Sequence, residues 1–278
     1  MLDSRELPFI SRDEVARALA EAALKAGPVI MDVYRAEGAR AWAKDDGSPV
    51  TEADERAEAA IVCDLRAKLP NVAIVGEEGG GTRKLSPNGA FVLVDPLDGT
   101  KEFLARNGEF TVNVALVSNG RPIAGAVYAP ALERIWIGGE TAFASEAPCG
   151  SGFPKLERWR RIHARPAPAS IVAVASRSHA DPETDAFLKG LPVGARRIVG
   201  SSLKFCLLAQ GEADVYPRFG ATMEWDTAAG HAVLVAAGGV VLTPQGAPFL
   251  YGKSDCGLRN GAFIAWGDPA AAAHSFRR

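Results

Sequence analysis

Residues 91–103 read Phe91-Val92-Leu93-Val94-Asp95-Pro96-Leu97-Asp98-Gly99-Thr100-Lys101-Glu102-Phe103. The four apolar residues that open this stretch are rich in branched side chains and read as a buried strand delivering Asp95 to a sheet edge. Pro96 has no amide proton for a ladder, so the strand is expected to stop at Asp95. Asp98 follows, and Gly99-Thr100 can open a helix whose first amides lack intrahelical acceptors and point toward an anion. Mg²⁺ takes oxygen ligands at about 2.0–2.1 Å and keeps several waters, so a few carboxylates plus phosphate oxygens satisfy it. Asp95 and Asp98 would supply two such carboxylates, and a turn biased by Pro96 can present the Leu97 carbonyl on the same side. The competing reading is a shaped turn in which Asp98 merely caps a helix.

Working outward, acids also sit at the ends of three further elements. Val72-Ala73-Ile74-Val75 is a short strand that runs into Glu77-Glu78, so two buried strands present acids at their C-terminal ends, the convergence a metal or phosphate site needs. Asp54 lies in the first turn of a helix capped by Thr51, and Asp226 lies at the start of a helix over Glu224–Ala236. Each of these two is either a helix-start acid that suits the dipole or a member of the same cluster.

The 278 residues are 47% hydrophobic, enough to fill a real core, and Lys+Arg 31 against Asp+Glu 33 leaves a net charge of −2. That balance excludes the basic field that drives nucleic-acid binding, so an anionic partner must be met by local charge or metal. The four cysteines, Cys63, Cys149, Cys206 and Cys256, form no CxxC pair and read as packing residues in a reducing compartment. The N-terminus is charged and no run of about 18 apolar residues occurs, so a cytoplasmic protein with no membrane signal is expected.

Taken in order, Ser11 and Glu14 make a capping box for a helix over residues 12–34, with Gly27-Pro28 a candidate bend. Lys44 to Val50 reads as a polar turn. Residues 110–117 and 123–128 flank Asn119-Gly120, a strong hairpin signal, and a second hairpin surrounds Gly138-Gly139. Residues 147–168 dissolve into Pro, Gly and Arg, with Arg158, Arg160, Arg161 and Arg165 read as solvated surface. Beyond them, strands and helices alternate in the manner of an α/β layer. The expected organisation is an α+β sub-domain over 1–150, then an α/β sub-domain over 165–278. His231, with no second His or Cys at ligand spacing, reads as a packing or polar-contact residue.

Gly47 to Asp54, Gly76-Glu77-Glu78, Asp95 to Thr100 and Trp225 to Gly230, in that order and spacing, resemble the inositol monophosphatase superfamily over nearly the whole chain. Asp98 to Phe103, Arg106 to Asn113, Ser176-Arg177-Ser178-His179 and Gly200 to Cys206 are similar to its CysQ type, the 3′(2′),5′-bisphosphate nucleotidases. The resemblance implies a layered αβαβα sandwich and a lithium-sensitive phosphomonoesterase holding two or three Mg²⁺ ions. It implies Glu77, Asp95, Asp98 and Asp226 as carboxylate ligands and the Leu97 carbonyl as a backbone ligand. Asp54 and Thr100 would orient and deprotonate the attacking water, the Gly99 and Thr100 amides would hold phosphate, and Lys44 would lie near the metal-bound waters. Ser201, Lys204, Arg218 and His179 match positions that contact the nucleotide.

The substrate so implied is adenosine 3′,5′-bisphosphate, a small phosphorylated nucleotide of sulfur assimilation, or its sulfated form. Inositol 1-phosphate or another sugar phosphate is the alternative, and a non-catalytic metal-gated binder would differ only at Asp54 and Thr100. The aspartyl-phosphate chemistry of haloacid dehalogenase phosphatases needs Asp-x-Asp-Gly-Thr, one residue shorter than Asp95 to Thr100. A homodimer and peripheral attachment at the inner membrane follow from family analogy alone.

Overall fold

The computed structural model describes residues 11–36, 41–43, 49–79, 85, 89–177 and 181–275. The elements are α1 (Arg12–Arg35), β1 (Ala41–Ala43), β2 (Pro49–Thr51), α2 (Glu52–Lys68), β3 (Ala73–Gly76), β4 (Ala90–Asp98), α3 (Thr100–Leu104), β5 (Thr111–Ser118), β6 (Arg121–Ala129), β7 (Arg134–Gly138), β8 (Ala142–Glu146) and β9 (Arg160–Arg161). They continue with β10 (Ile171–Ser176), α4 (Pro182–Lys189), β11 (Val193–Val199), α5 (Leu203–Ala209), β12 (Val215–Arg218), β13 (Thr222–Met223), α6 (Glu224–Ala236), β14 (Val240–Leu242), β15 (Arg259–Asn260), β16 (Phe263–Trp266) and α7 (Pro269–Ser275).

Side-chain alternation along β4 sets the layering. Val92 and Val94 point into one apolar cluster, with Leu19 and Ile30 of α1 and Ile61 and Leu65 of α2. Phe91 and Leu93 point the other way, into a cluster with Phe205 of α5 and Val233 of α6. A strand buried on both faces needs an unbroken apolar run, which is why Phe91 to Val94 shows no polar alternation. β4 belongs to a seven-stranded sheet of order β3-β4-β5-β6-β7-β8-β9, antiparallel except for β3 beside β4.

Helices α5 and α6 are shared with a second sheet, of order β11-β10-β12-β16-β14. Tyr216 and Phe263 of that sheet face the same cluster as Leu93, while Val215, Ile264 and Trp266 face a third cluster with Leu188 of α4 and Ala272 of α7. The layers are therefore α1/α2, seven strands, α5/α6, five strands, α4/α7, the αβαβα sandwich that the resemblance implies. α6 lies hard against the large sheet, because a Cβ at Gly138 would come within 2.6 Å of the Val233 Cα.

Several local expectations change. β4 does not stop at Asp95; it continues to Asp98 through a bulge, with Asp95 opposite Asn113 and Asp98 opposite Thr111. Pro96 sits inside that bulge, where a missing amide costs no ladder bond. The segment read as a polar turn is flanked by a short antiparallel pair, β1 and β2. Arg165 is not simply solvated: its guanidinium meets the buried Asp214 carboxylate twice, at 2.8 Å each. Cys63 and Cys256 are exposed rather than packed, and only Cys206 is fully buried. The Asn119-Gly120 hairpin forms as expected, both residues taking positive φ (50° and 70°). No described helix is long and apolar enough to cross a membrane.

Candidate active site

Three strand and helix ends converge beside one cavity of about 450 Å³. Glu77 follows β3 directly, and its N–H donates to the Val94 carbonyl at 3.1 Å, so it sits beside the end of β4. Asp95 is buried in β4, one oxygen accepting from the Leu97 N–H at 3.1 Å. Asp226 occupies the first turn of α6 and accepts from the Met223 N–H at 2.8 Å. Oxygens of Glu77, Asp95 and Asp226 lie within 4.8 Å of one another.

Asp226 therefore both accepts a backbone hydrogen bond at the start of α6 and lies among the clustered acids. Asp98 lines the same cavity but stands outside that set; Asn113 Nδ2 donates to it at 3.3 Å and the Thr111 hydroxyl at 3.5 Å.

Crowding like charges in a dry place favours protonation. Burial, then repulsion from Glu77, Asp98 and Asp226, holds the Asp95 carboxyl well above its ordinary range. Asp226 is pushed up to about 8, chiefly by burial and then by Asp98. Asp98 is raised by burial, partly relieved by the Lys204 ammonium and the Asn113 amide. A cation among these oxygens removes the same strain that protons would, so the donor set fits a hard divalent ion.

Asp54 is 2% exposed at the start of α2. Its Oδ2 accepts from the Thr51 N–H at 2.8 Å and the Thr51 hydroxyl at 2.6 Å. Asp54 does not line the cavity; Thr100 does, its hydroxyl 3.5 Å from Asp54 Oδ1 and 3.3 Å from the Leu97 carbonyl oxygen. Thr100 opens α3 after Gly99, whose φ of 94° is a left-handed conformation that glycine adopts freely. A side chain at Gly99 would also overlap the Ser201 hydroxyl.

Ser201, Lys204 and Arg218 line the cavity, yet each is already engaged with backbone. Lys204 Nζ donates to the Ser201 carbonyl at 2.6 Å and the Val199 carbonyl at 3.3 Å, and burial pulls its pKa down to about 8. Arg218 donates to the Gly220 and Ala221 carbonyls at 3.3 and 3.1 Å. Ser201 reaches the carbonyls of Asp98 and Glu109. The two halves of the chain are further stitched at this point by Glu109, which takes two hydrogen bonds from Arg177, each at 3.0 Å, and one from the Gly200 N–H at 2.8 Å. Lys44 and His179 lie outside the described residues. Trp225, which opens the Trp225 to Gly230 motif, also lines the cavity, as do Tyr216 and Arg259, which as isolated residues in short strands carry no pattern that marks them.

The inositol monophosphatase family model matches residues 11–274. The chain belongs to the inositol monophosphatase family. Within it, the 3′(2′),5′-bisphosphate nucleotidase CysQ of Escherichia coli (strain K12) is 44% identical over 243 residues, covering 86% of this chain and 94% of that one. The CysQ of Buchnera aphidicola subsp. Acyrthosiphon pisum is 39% identical over 238 residues, covering 85% of this chain and 87% of its own length.

The crystal structure of CysQ from Bacteroides thetaiotaomicron superposes with a TM-score of 0.77 at 39% identity, over 91% of this chain and 97% of that one. An inositol monophosphatase from Anabaena shares the fold at a TM-score of 0.73 and 24% identity, over 95% of this chain and 94% of its own. Inositol monophosphatases are metal-dependent, in keeping with the buried acidic set here.

Proposed function

We propose that this chain is a Mg²⁺-dependent phosphomonoesterase that hydrolyses the 3′-phosphate of adenosine 3′,5′-bisphosphate to give AMP and phosphate. Its sulfated analogue is a second substrate. The carrying observation is the Glu77, Asp95 and Asp226 set beside a cavity that Lys204 and Arg218 also line. The kinship with CysQ nucleotidases supports the substrate class. Free thiols at Cys63, Cys149, Cys206 and Cys256 support a cytoplasmic setting.

In this reading Glu77, Asp95, Asp98, Asp226 and the Leu97 carbonyl hold the metal. Bound Mg²⁺ supplies Lewis-acid polarisation of the phosphate and acidifies water near neutral pH. Asp54 accepts the proton of the attacking water by way of the Thr100 hydroxyl, the link supported by their 3.5 Å separation. The Gly99 and Thr100 amides at the start of α3 hold phosphate oxygens. Lys204 and Arg218 contribute positive charge toward the remote 5′-phosphate, and Ser201 shapes the floor between them. Water adds to phosphorus as the ester oxygen leaves, so a phosphorylated side chain is not needed.

The experiment is phosphate release at saturating Mg²⁺, comparing kcat/KM for adenosine 3′,5′-bisphosphate and inositol 1-phosphate. A preference for the nucleotide of about a hundred-fold or more is expected, since a remote phosphate paired with cations contributes several charge-assisted contacts. Preference for the inositol ester overturns the substrate assignment; absence of release from either overturns the enzyme assignment.

A further inference from the structure

α2 carries a second buried acid, one helical turn beyond Asp54. Glu58 is 7% exposed, and its Oε2 accepts from the Glu78 N–H at 2.7 Å. Like Asp54, whose carboxylate meets Thr100 after β4, it reaches a turn that follows a strand, here the one after β3. An i,i+4 acid pair on one helix face is destabilising by itself, so both acids need partners elsewhere.

The position of that hydrogen bond is telling. The peptide before the Glu77 Cα is held by its N–H on the Val94 carbonyl, at 3.1 Å. The peptide after that Cα is held by its N–H, belonging to Glu78, on Glu58. Two peptide planes flank a Cα, and their orientations fix its φ and ψ. With both pinned, the Glu77 side chain leaves the chain in one direction, and that direction brings its carboxylate within 4.8 Å of those of Asp95 and Asp226.

The neighbouring glycines make room for the same group. A Cβ at Gly76 would overlap all three atoms of the Glu58 carboxylate, and a Cβ at Gly79 would come within 2.7 Å of Oε1. Neither glycine has the positive φ that would explain it on backbone grounds. The turn Gly76-Glu77-Glu78-Gly79 is folded around the Glu58 carboxylate.

We infer that Glu58 is a positioning residue for metal binding, fixing the backbone on which Glu77 is presented. This rests on the reading of Glu77 as a metal ligand. The test is calorimetric titration of Mn²⁺, with no substrate, into the full-length protein stripped with EDTA, for wild type, Glu77→Ala, Glu58→Ala, Glu58→Gln, Gly79→Ala and the Glu58→Ala/Gly79→Ala double variant. Groups that orient a ligand typically account for ten-fold or more in metal affinity, so Glu58→Ala and Gly79→Ala are each expected to weaken Mn²⁺ binding by about ten-fold or more. Glu58→Gln keeps an oxygen for the Glu78 N–H and is expected to retain most of the affinity.

The double variant should bind no more weakly than Glu58→Ala, because the added methyl then has no carboxylate to displace. Gly79 is exposed and its added methyl presses closely on a single carboxylate oxygen, so its variant is expected to fold and keeps the test available if Glu58→Ala does not. Wild-type affinity in folded Gly79→Ala or Glu58→Ala overturns the inference alone. Absence of Mn²⁺ binding in wild type, or unchanged binding in Glu77→Ala, overturns the ligand reading and the inference together.

Discussion

The Ser201 hydroxyl lies 2.7 Å from the Asp98 carbonyl oxygen and 2.7 Å from that of Glu109. Its single proton serves one of these acceptors at a time. Ser201 takes a left-handed φ of 51° to reach them, fastening the turn before α5 to the strand that carries Asp95 and Asp98. Ser201→Ala removes that tie. It is expected to cost about 1 kcal/mol of stability, read as a drop of about 2 °C in melting temperature. The loss in kcat/KM is expected to be larger, about ten-fold, because misplacement of the strand end is felt at the reacting centre. Unchanged kcat/KM would leave Ser201 as lining only.

Asp226→Asn separates metal chemistry from stability. With Mg²⁺ saturating, turnover is expected to fall by about two orders of magnitude or more, since a ligand charge is lost. In EDTA the same variant is expected to melt higher than wild type, because one member of a buried, mutually repelling set is now neutral. Near-normal turnover would sink the ligand role.

The raised carboxyl groups set a pH trend for the metal-free protein. Asp95, Asp98 and Asp226 hold protons more tightly folded than unfolded, Asp226 up to about 8. Their favourable contribution is complete below the ordinary carboxylate pKa of about 3.9 and is lost as pH rises through the folded values. Melting temperature in EDTA should therefore fall between about pH 5 and pH 8, and saturating Mg²⁺ should flatten that fall. A rise over this range in EDTA would contradict the burial of the set.

Thr100→Val keeps the shape of the α3 start and deletes the hydroxyl between the cavity and Asp54. We expect kcat to drop by about a hundred-fold with KM changed by less than about three-fold. Asp54→Asn should match it, and the double variant should be no worse than either single one. Additive losses would mean that the two groups work separately.

Lys204 loses its charge at about pH 8, burial being the main cause. If its field reaches the remote phosphate, KM for the bisphosphate should climb between about pH 7 and 9, and the climb should vanish in Lys204→Met. An identical pH profile in the variant would confine Lys204 to holding the carbonyls of Val199 and Ser201.

How far the sequence could be read depended on whether a residue's partner lay nearby in the chain. The unbroken apolar run from Phe91 to Val94 announced a buried strand, which proves to be buried on both faces, and acids at the ends of strands and helices announced the cluster. Pro96 misled because a bulge can absorb a missing amide, and bulges leave no mark in periodicity. Arg165 looked solvated among its arginine neighbours; its partner, Asp214, is remote in sequence. Glu58 carries no mark in the sequence, since the amide it holds is placed only once β3 has docked beside β4. The engagement of Lys204 and Arg218 with carbonyls was likewise invisible, because local loop shape decides it.

α6 is the middle layer between the two sheets, and it brings Asp226 to acids contributed by β3 and β4 early in the chain. A ribosome-bound chain that has not yet released residues 224–236 has no complete cluster, however well its first sheet has formed. In the proposed reading, divalent-ion binding would report that α6 has joined β3 and β4. The ion would then act as a clasp between α6 and the large sheet, joining segments more than a hundred residues apart and slowing their separation.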